Sequence, residues 1–86
     1  MDDDQLFELM EWLAAHAEVG SVIPGSGGLR KVRWAAKGHG KRGGARVIYF
    51  WWMTDERILL LDIYSKGEQE DLPAAEIKRL RRKVFE

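Results

Sequence analysis

Arg46-Val47-Ile48-Tyr49-Phe50-Trp51-Trp52 decides the fold. Branched and aromatic side chains in an unbroken run suit a pleated strand, because they pack well on its surface. Ala45 to Met53 is apolar on both faces except at Arg46, the pattern of a central strand covered on two sides. Upstream, from Leu29, the period is two: Lys31, Arg33 and Lys37 share one face while Val32, Trp34 and Ala36 share the other. Between the two strands, Gly38-His39-Gly40-Lys41-Arg42-Gly43-Gly44 has too many glycines for a regular strand and reads as a long hairpin tip. Downstream, Thr54-Asp55-Glu56-Arg57 turns the chain. Ile58 to Ser65 then forms a third strand, with Leu59, Leu61 and Ile63 alternating against Leu60, Asp62 and Tyr64, and Lys66 continues the polar face.

Helices flank this core. Leu6, Leu9, Met10, Leu13 and Ala17 recur at helical spacing, widened by Phe7, Trp12 and Ala14, with Glu8, Glu11 and Glu18 toward water. Asp2 with Gln5 allows a loose capping box, the acidic start suits the positive end of the helix dipole, and Gly20 is the expected stop. Val22 to Gly28 reads as a loop by its proline and glycines. After the polar stretch Gly67 to Asp71, Pro73 with Glu76 opens a second helix whose buried stripe is Ile77, Leu80 and Val84. Lys78, Arg79, Arg81, Arg82 and Lys83 form its solvated, dipole-favoured face. The expectation is therefore an α+β fold: one domain over residues 1–86, with a small antiparallel sheet of three to four strands, an N-terminal helix and a C-terminal helix.

A chain of 86 residues buries only about 60% of its unfolded surface, so every apolar strand counts. The formal net charge is zero, yet the charge is segregated. Asp2, Asp3, Asp4, Glu8, Glu11 and Glu18 hold the start, whereas Leu29 to Arg46 carries Arg30, Lys31, Arg33, Lys37, Lys41, Arg42 and Arg46 with no acid. With no cysteine and only His16 and His39, disulfides and thiolate metal sites are excluded, and no metal or other cofactor is expected. No apolar run approaches the length of a membrane span and no signal segment is legible, so a cytoplasmic protein without membrane partners is expected.

Gly38-x-Gly40-x-x-Gly43 matches the dinucleotide fingerprint as text, but a strand follows it where the mechanism needs a helix N-terminus for the pyrophosphate. The Gly25 to Gly28 loop lacks the lysine and the serine or threonine of a phosphate loop in the required places, and reads as a turn. His39, on the hairpin tip, has no second histidine or fixed carboxylate near it in sequence to make a proton-transfer pair. The tryptophans as a group read as core. The acid-free basic run reads as anion binding, because clustered lysine and arginine are rewarded by phosphates through counterion release.

Val22 to Ala35, then Gly40 to Trp52, then Leu59 to Leu72 closely resemble, in order and spacing, RelE-superfamily toxins of the HigB-like branch. The resemblance covers nearly the whole chain. It implies a RelE-like fold and the toxin component of a type II toxin–antitoxin system: a ribosome-dependent endoribonuclease that cuts messenger RNA, with a cognate antitoxin protein, the ribosome and mRNA as partners. It places Arg46 and Lys66 where the family keeps its phosphate-handling bases, and Lys37, Lys41 and Arg42 in the RNA-facing hairpin. Such toxins begin with a strand ahead of the first helix, whereas here the helix signal begins almost at Met1. The expectation is an unpaired sheet edge that accepts a strand from an antitoxin or a second copy, with reduced activity.

RNA cleavage needs no protein nucleophile, since the 2′-hydroxyl can attack the adjacent phosphorus. The protein must orient the attack, move protons and neutralise the phosphorane. The chain offers no two-histidine or two-carboxylate pair for this. Arg46 and Lys66 are assigned to transition-state charge, Arg33, Lys37, Lys41 and Arg42 to RNA positioning, and Tyr64 or Lys66 to proton transfer, which requires a cationic surround to lower a pKa near 10. The alternatives are a non-enzymatic ParE-like toxin that blocks a protein target, an inactive antitoxin-binding relative, and a generic single-strand RNA-binding module.

Overall fold

The structure, a computed structural model, describes residues 3–34, 45–65 and 72–85. Helix α1 (Asp3–Ala15) is followed by strands β1 (Ser21–Val22), β2 (Arg30–Trp34), β3 (Ala45–Trp52) and β4 (Arg57–Ser65), and by helix α2 (Ala74–Phe85). The four strands make one antiparallel sheet in the order β1-β2-β3-β4. The fold is the small α+β arrangement expected from the hydrophobic pattern. The hairpin tip, Lys37, Lys41, Arg42, Lys66 and Asp2 of the capping box lie outside the described residues.

Alternation along β3 builds two cores. Val47 and Tyr49 face α1 and pack with Leu9, Leu13 and Trp34, with Trp12, Val32 and Trp51 around them. Ile48 faces the other way and packs with Leu29, Leu61, Tyr64 and Leu80, joined by Phe50, Ile77 and Val84. The two helices therefore cover opposite faces, and β3 is the covered central strand its composition requires. The stripe read for α2 is the one it buries.

Four expectations need correction. Helix α1 ends at Ala15, short of Gly20; His16 and Val19 instead close turns through N–H bonds to the Leu13 and His16 carbonyls. Gly20 is required by contact, since an added Cβ would lie 2.6 Å from the Tyr49 hydroxyl oxygen. Leu6 and Phe7, expected in the buried stripe, are 39% and 57% exposed, and Ala14 is exposed as well, because Leu9 and Leu13, with Trp12 beside them, are the α1 side chains that pack on the core. Part of the loop read for Val22 to Gly28 is the short strand β1, extended by the Ile23 N–H bond to the Leu29 carbonyl. The loop itself is knit by Ser26, whose Oγ accepts from the Leu29 N–H (3.0 Å) and donates to the Ile23 carbonyl. Gly25, Gly27 and Gly28 take the positive φ this path demands.

The fourth correction concerns β4. Ile48 pairs with Asp62 while Tyr49 pairs with Leu60, so Leu61 is an extra residue in a β-bulge. Strict alternation would put Tyr64 with Leu60. The bulge instead gives Ile58, Leu60 and Ile63 to the α1 core and Leu59, Leu61 and Tyr64 to the α2 core. An inserted residue reverses the facing of everything beyond it.

Candidate nucleic-acid interface

On the α2 face of the sheet, Arg33 lies directly opposite Arg46, and Arg46 directly opposite Tyr64. Three strands thus contribute one row, in which side chains directly opposite stand with Cβ atoms roughly 5 Å apart. Arg33 is exposed, Arg46 half-buried, and Tyr64 only 6% exposed against the α2 core. The bulge is what brings Tyr64 into this row. Guanidiniums set side by side in this way match the spacing at which neighbouring oxygens of one phosphate are held.

The next row on the same face is Lys31, Ile48 and Asp62. The Asp62 carboxylate accepts the Ile63 N–H at 2.9 Å. Lys31 lines a cavity of about 400 Å³ with Val22, Ile23, Pro24, Leu72 and Ile77. The wall is apolar except for the cation and the small Ser21, and the cleft reaches the start of α2 at Leu72 and Ile77.

Of the remaining described cations, Arg57 lies at the β3–β4 turn, and Arg30 and the bases of α2 lie on opposite faces. Arg30, opposite Tyr49 on the α1 side, donates to the Gly20 carbonyl at 2.8 Å and lies 5.5 Å from the Trp51 ring centre. It ties the α1–β1 connection to the sheet. On α2, Lys78, Arg79, Arg81, Arg82 and Lys83 are exposed. Glu76 holds Arg79 at 2.7 Å, and that hydrogen bond lowers the Glu76 pKa and raises that of Arg79.

Of the residues assigned a site role from the sequence, Arg33, Arg46 and Tyr64 are brought together; Lys37, Lys41, Arg42 and Lys66 lie outside the described residues. Lys31 was legible as a cation on the right face, but its cleft depends on α2 folding back beside β1. The chemistry available in the described row is charge: two guanidiniums suited to bidentate contact with phosphate oxygens, beside a phenol. No helix among the described residues is long and apolar enough to cross a membrane. A scan of the chain against known protein families finds no match.

Proposed function

We propose that this chain is the toxin component of a type II toxin–antitoxin system, a ribosome-dependent endoribonuclease that cleaves mRNA through attack of a 2′-hydroxyl on the adjacent phosphate. The observation that carries the reading is the cross-strand row of Arg33, Arg46 and Tyr64 on one face; the resemblance to HigB-like toxins supplies the substrate. Arg46, near the start of the central strand, neutralises charge on the phosphorane, and Arg33 holds a neighbouring phosphate. Lys37, Lys41 and Arg42 position the RNA, and Lys66 shares the transition-state charge. Tyr64 or Lys66 carries the proton. Weak intrinsic chemistry of this kind suits an enzyme whose substrate is positioned by the ribosome.

Arg46→Ala is expected to lower cleavage about a hundredfold, the loss typical of a transition-state donor, with an unchanged melting curve. Primer extension on translated messages reads the cuts directly. Unchanged translation arrest by the variant removes Arg46 from the mechanism.

The burial of Tyr64 among Leu29, Ile48, Leu61 and Leu80 favours a second reading, a non-enzymatic ParE-like toxin or an inactive antitoxin-binding relative. In that case induction arrests growth, or does nothing, without any cut within codons. The cognate antitoxin is a partner under either reading, and a cytoplasmic location accords with both.

A further inference from the structure

At the far end of the α2 face from the arginine row, three aromatic rings and two guanidiniums gather. Phe50 meets Trp52 edge to face at 4.8 Å and Phe85 at 5.4 Å, the interplanar angles being 69° and 82°. The Arg57 guanidinium lies 5.2 Å from the Trp52 ring centre and that of Arg81 lies 5.9 Å from the Phe85 ring centre. The cluster is open on one side. Here Phe85 is 51% exposed and neighbouring Met53 is 65% exposed. The Arg57 side chain is 69% exposed and, besides Trp52, meets the half-exposed carboxylate of Asp55 at 3.3 Å. An exposed pair of that kind is weak and is readily exchanged for a phosphate.

We propose that Trp52 and Phe85, with Arg57 and Arg81, form a second contact for single-stranded RNA, one that stacks an unpaired base and holds its phosphate. The proposal rests on the RNA reading above and extends it to a site outside the arginine row. Arginine laid on an aromatic ring presents a flat cationic surface on which a base stacks from the open side, while its N–H groups remain available to phosphate oxygens. Two such stacks share Phe50 as their common wall.

The placement fits one strand of RNA reaching both sites. Trp52 is six residues beyond Arg46 on β3, roughly 20 Å along an extended strand. That is too far for one nucleotide and suits a short oligomer. Helix α2 runs between, with Ile77 at the Lys31 cleft and Phe85 against Phe50, and its exposed Lys78, Arg81 and Arg82 offer a cationic path. The carboxylates at the turn are Asp55, engaged by Arg57, and Glu56, which holds a positive φ of 54°.

The test uses the full chain, a fluorescently labelled oligouridine dodecamer and the corresponding dinucleotide. Phe85→Ser and Arg57→Gln are each expected to weaken dodecamer binding about five- to a hundredfold, the range for loss of a stacking contact, and to leave dinucleotide binding unchanged. Trp52→Ala serves as a further variant where its melting curve matches the parent. Photocross-linking of thiouridine-substituted dodecamer should label a peptide containing Trp52 or Phe85. If Phe85→Ser and Arg57→Gln bind the dodecamer as the parent does while Arg46→Ala weakens it, the second contact is overturned and the RNA reading stands. If the parent binds no dodecamer, the second contact is overturned, while the ribosome-dependent reading stands or falls on the cuts seen by primer extension. If a polyglutamate peptide binds instead with the same sensitivity to Phe85→Ser, the surface is one for an acidic protein segment and the RNA assignment is overturned.

Discussion

Tyr49 shows how much one hydroxyl can organise. Fully buried in β3, it donates to the Ala17 carbonyl at 2.6 Å and accepts the Gly20 N–H at 2.9 Å, so a residue of the central strand holds the chain leaving α1. Tyr49→Phe leaves that carbonyl and N–H in the interior with one partner removed, and is expected to cost about 1–3 kcal/mol in urea unfolding. Burial raises its pKa above the ordinary 10.0, against the lowering effects of the Gly20 hydrogen bond and the Arg30 charge. A folded-state pKa above the unfolded value means that the stabilisation is complete below pH 10 and is lost as pH rises through the folded value. Stability of the parent should therefore fall above about pH 10, and less steeply in Tyr49→Phe. Ser26 is the comparable device in the β1–β2 loop, where a single buried hydroxyl serves both an N–H and a carbonyl.

Among the elements, β4 is the one whose form decides the site. Its bulge at Leu61 adds a buried side chain to the α2 core and turns Tyr64 into the row with Arg46. Bulges commonly re-aim side chains in this way beside functional sites. The helices divide their labour unequally. Leu80 is fully buried and anchors α2; Leu80→Ala is expected to destabilise by about 2–5 kcal/mol. Phe7 on α1 is more than half exposed, and Phe7→Ser should change stability by less than about 0.5 kcal/mol. Thermal and urea melts of the two variants read this contrast. A large effect at Phe7 would mean that the outer stripe of α1 is covered in solution.

At the scale of the molecule, the two helices among the described residues carry opposite charge. Helix α1, with Asp3, Asp4, Glu8 and Glu11 and no base, lies on one face of the sheet; α2, with its five bases and Glu76, lies on the other beside Lys31, Arg33 and Arg46. A zero net charge thus conceals a separation of charge between the two helices. Under the proposed function, the logarithm of RNA affinity should fall linearly with the logarithm of salt, by about 0.7 per phosphate contacted. Arg33→Gln should reduce that slope by about one contact. A slope unaltered by Arg33→Gln would place the phosphates elsewhere.

The sequence by itself determined the two helices and the three longer strands, the central place of β3, the buried stripe of α2 and the separation of charge, because periodicity and composition are local and survive in any packing; the two-residue β1 reads as loop. Arg33 was legible as a site candidate from the cationic face of its own strand and Arg46 from the resemblance to HigB-like toxins, but that the two stand opposite each other was decided by the register between β2 and β3, which no single strand's period contains. Only the tertiary structure decided which face Tyr64 takes, since one unpaired residue in β4 reverses an alternation that no local pattern flags. It likewise decided that Gly20 serves the Tyr49 hydroxyl, that Phe7 is left outside, and that Phe85 meets Phe50 on the central strand. Each of these depends on contacts between residues distant in sequence, where the geometry of the packed sheet, and not the propensity of a segment, sets the outcome.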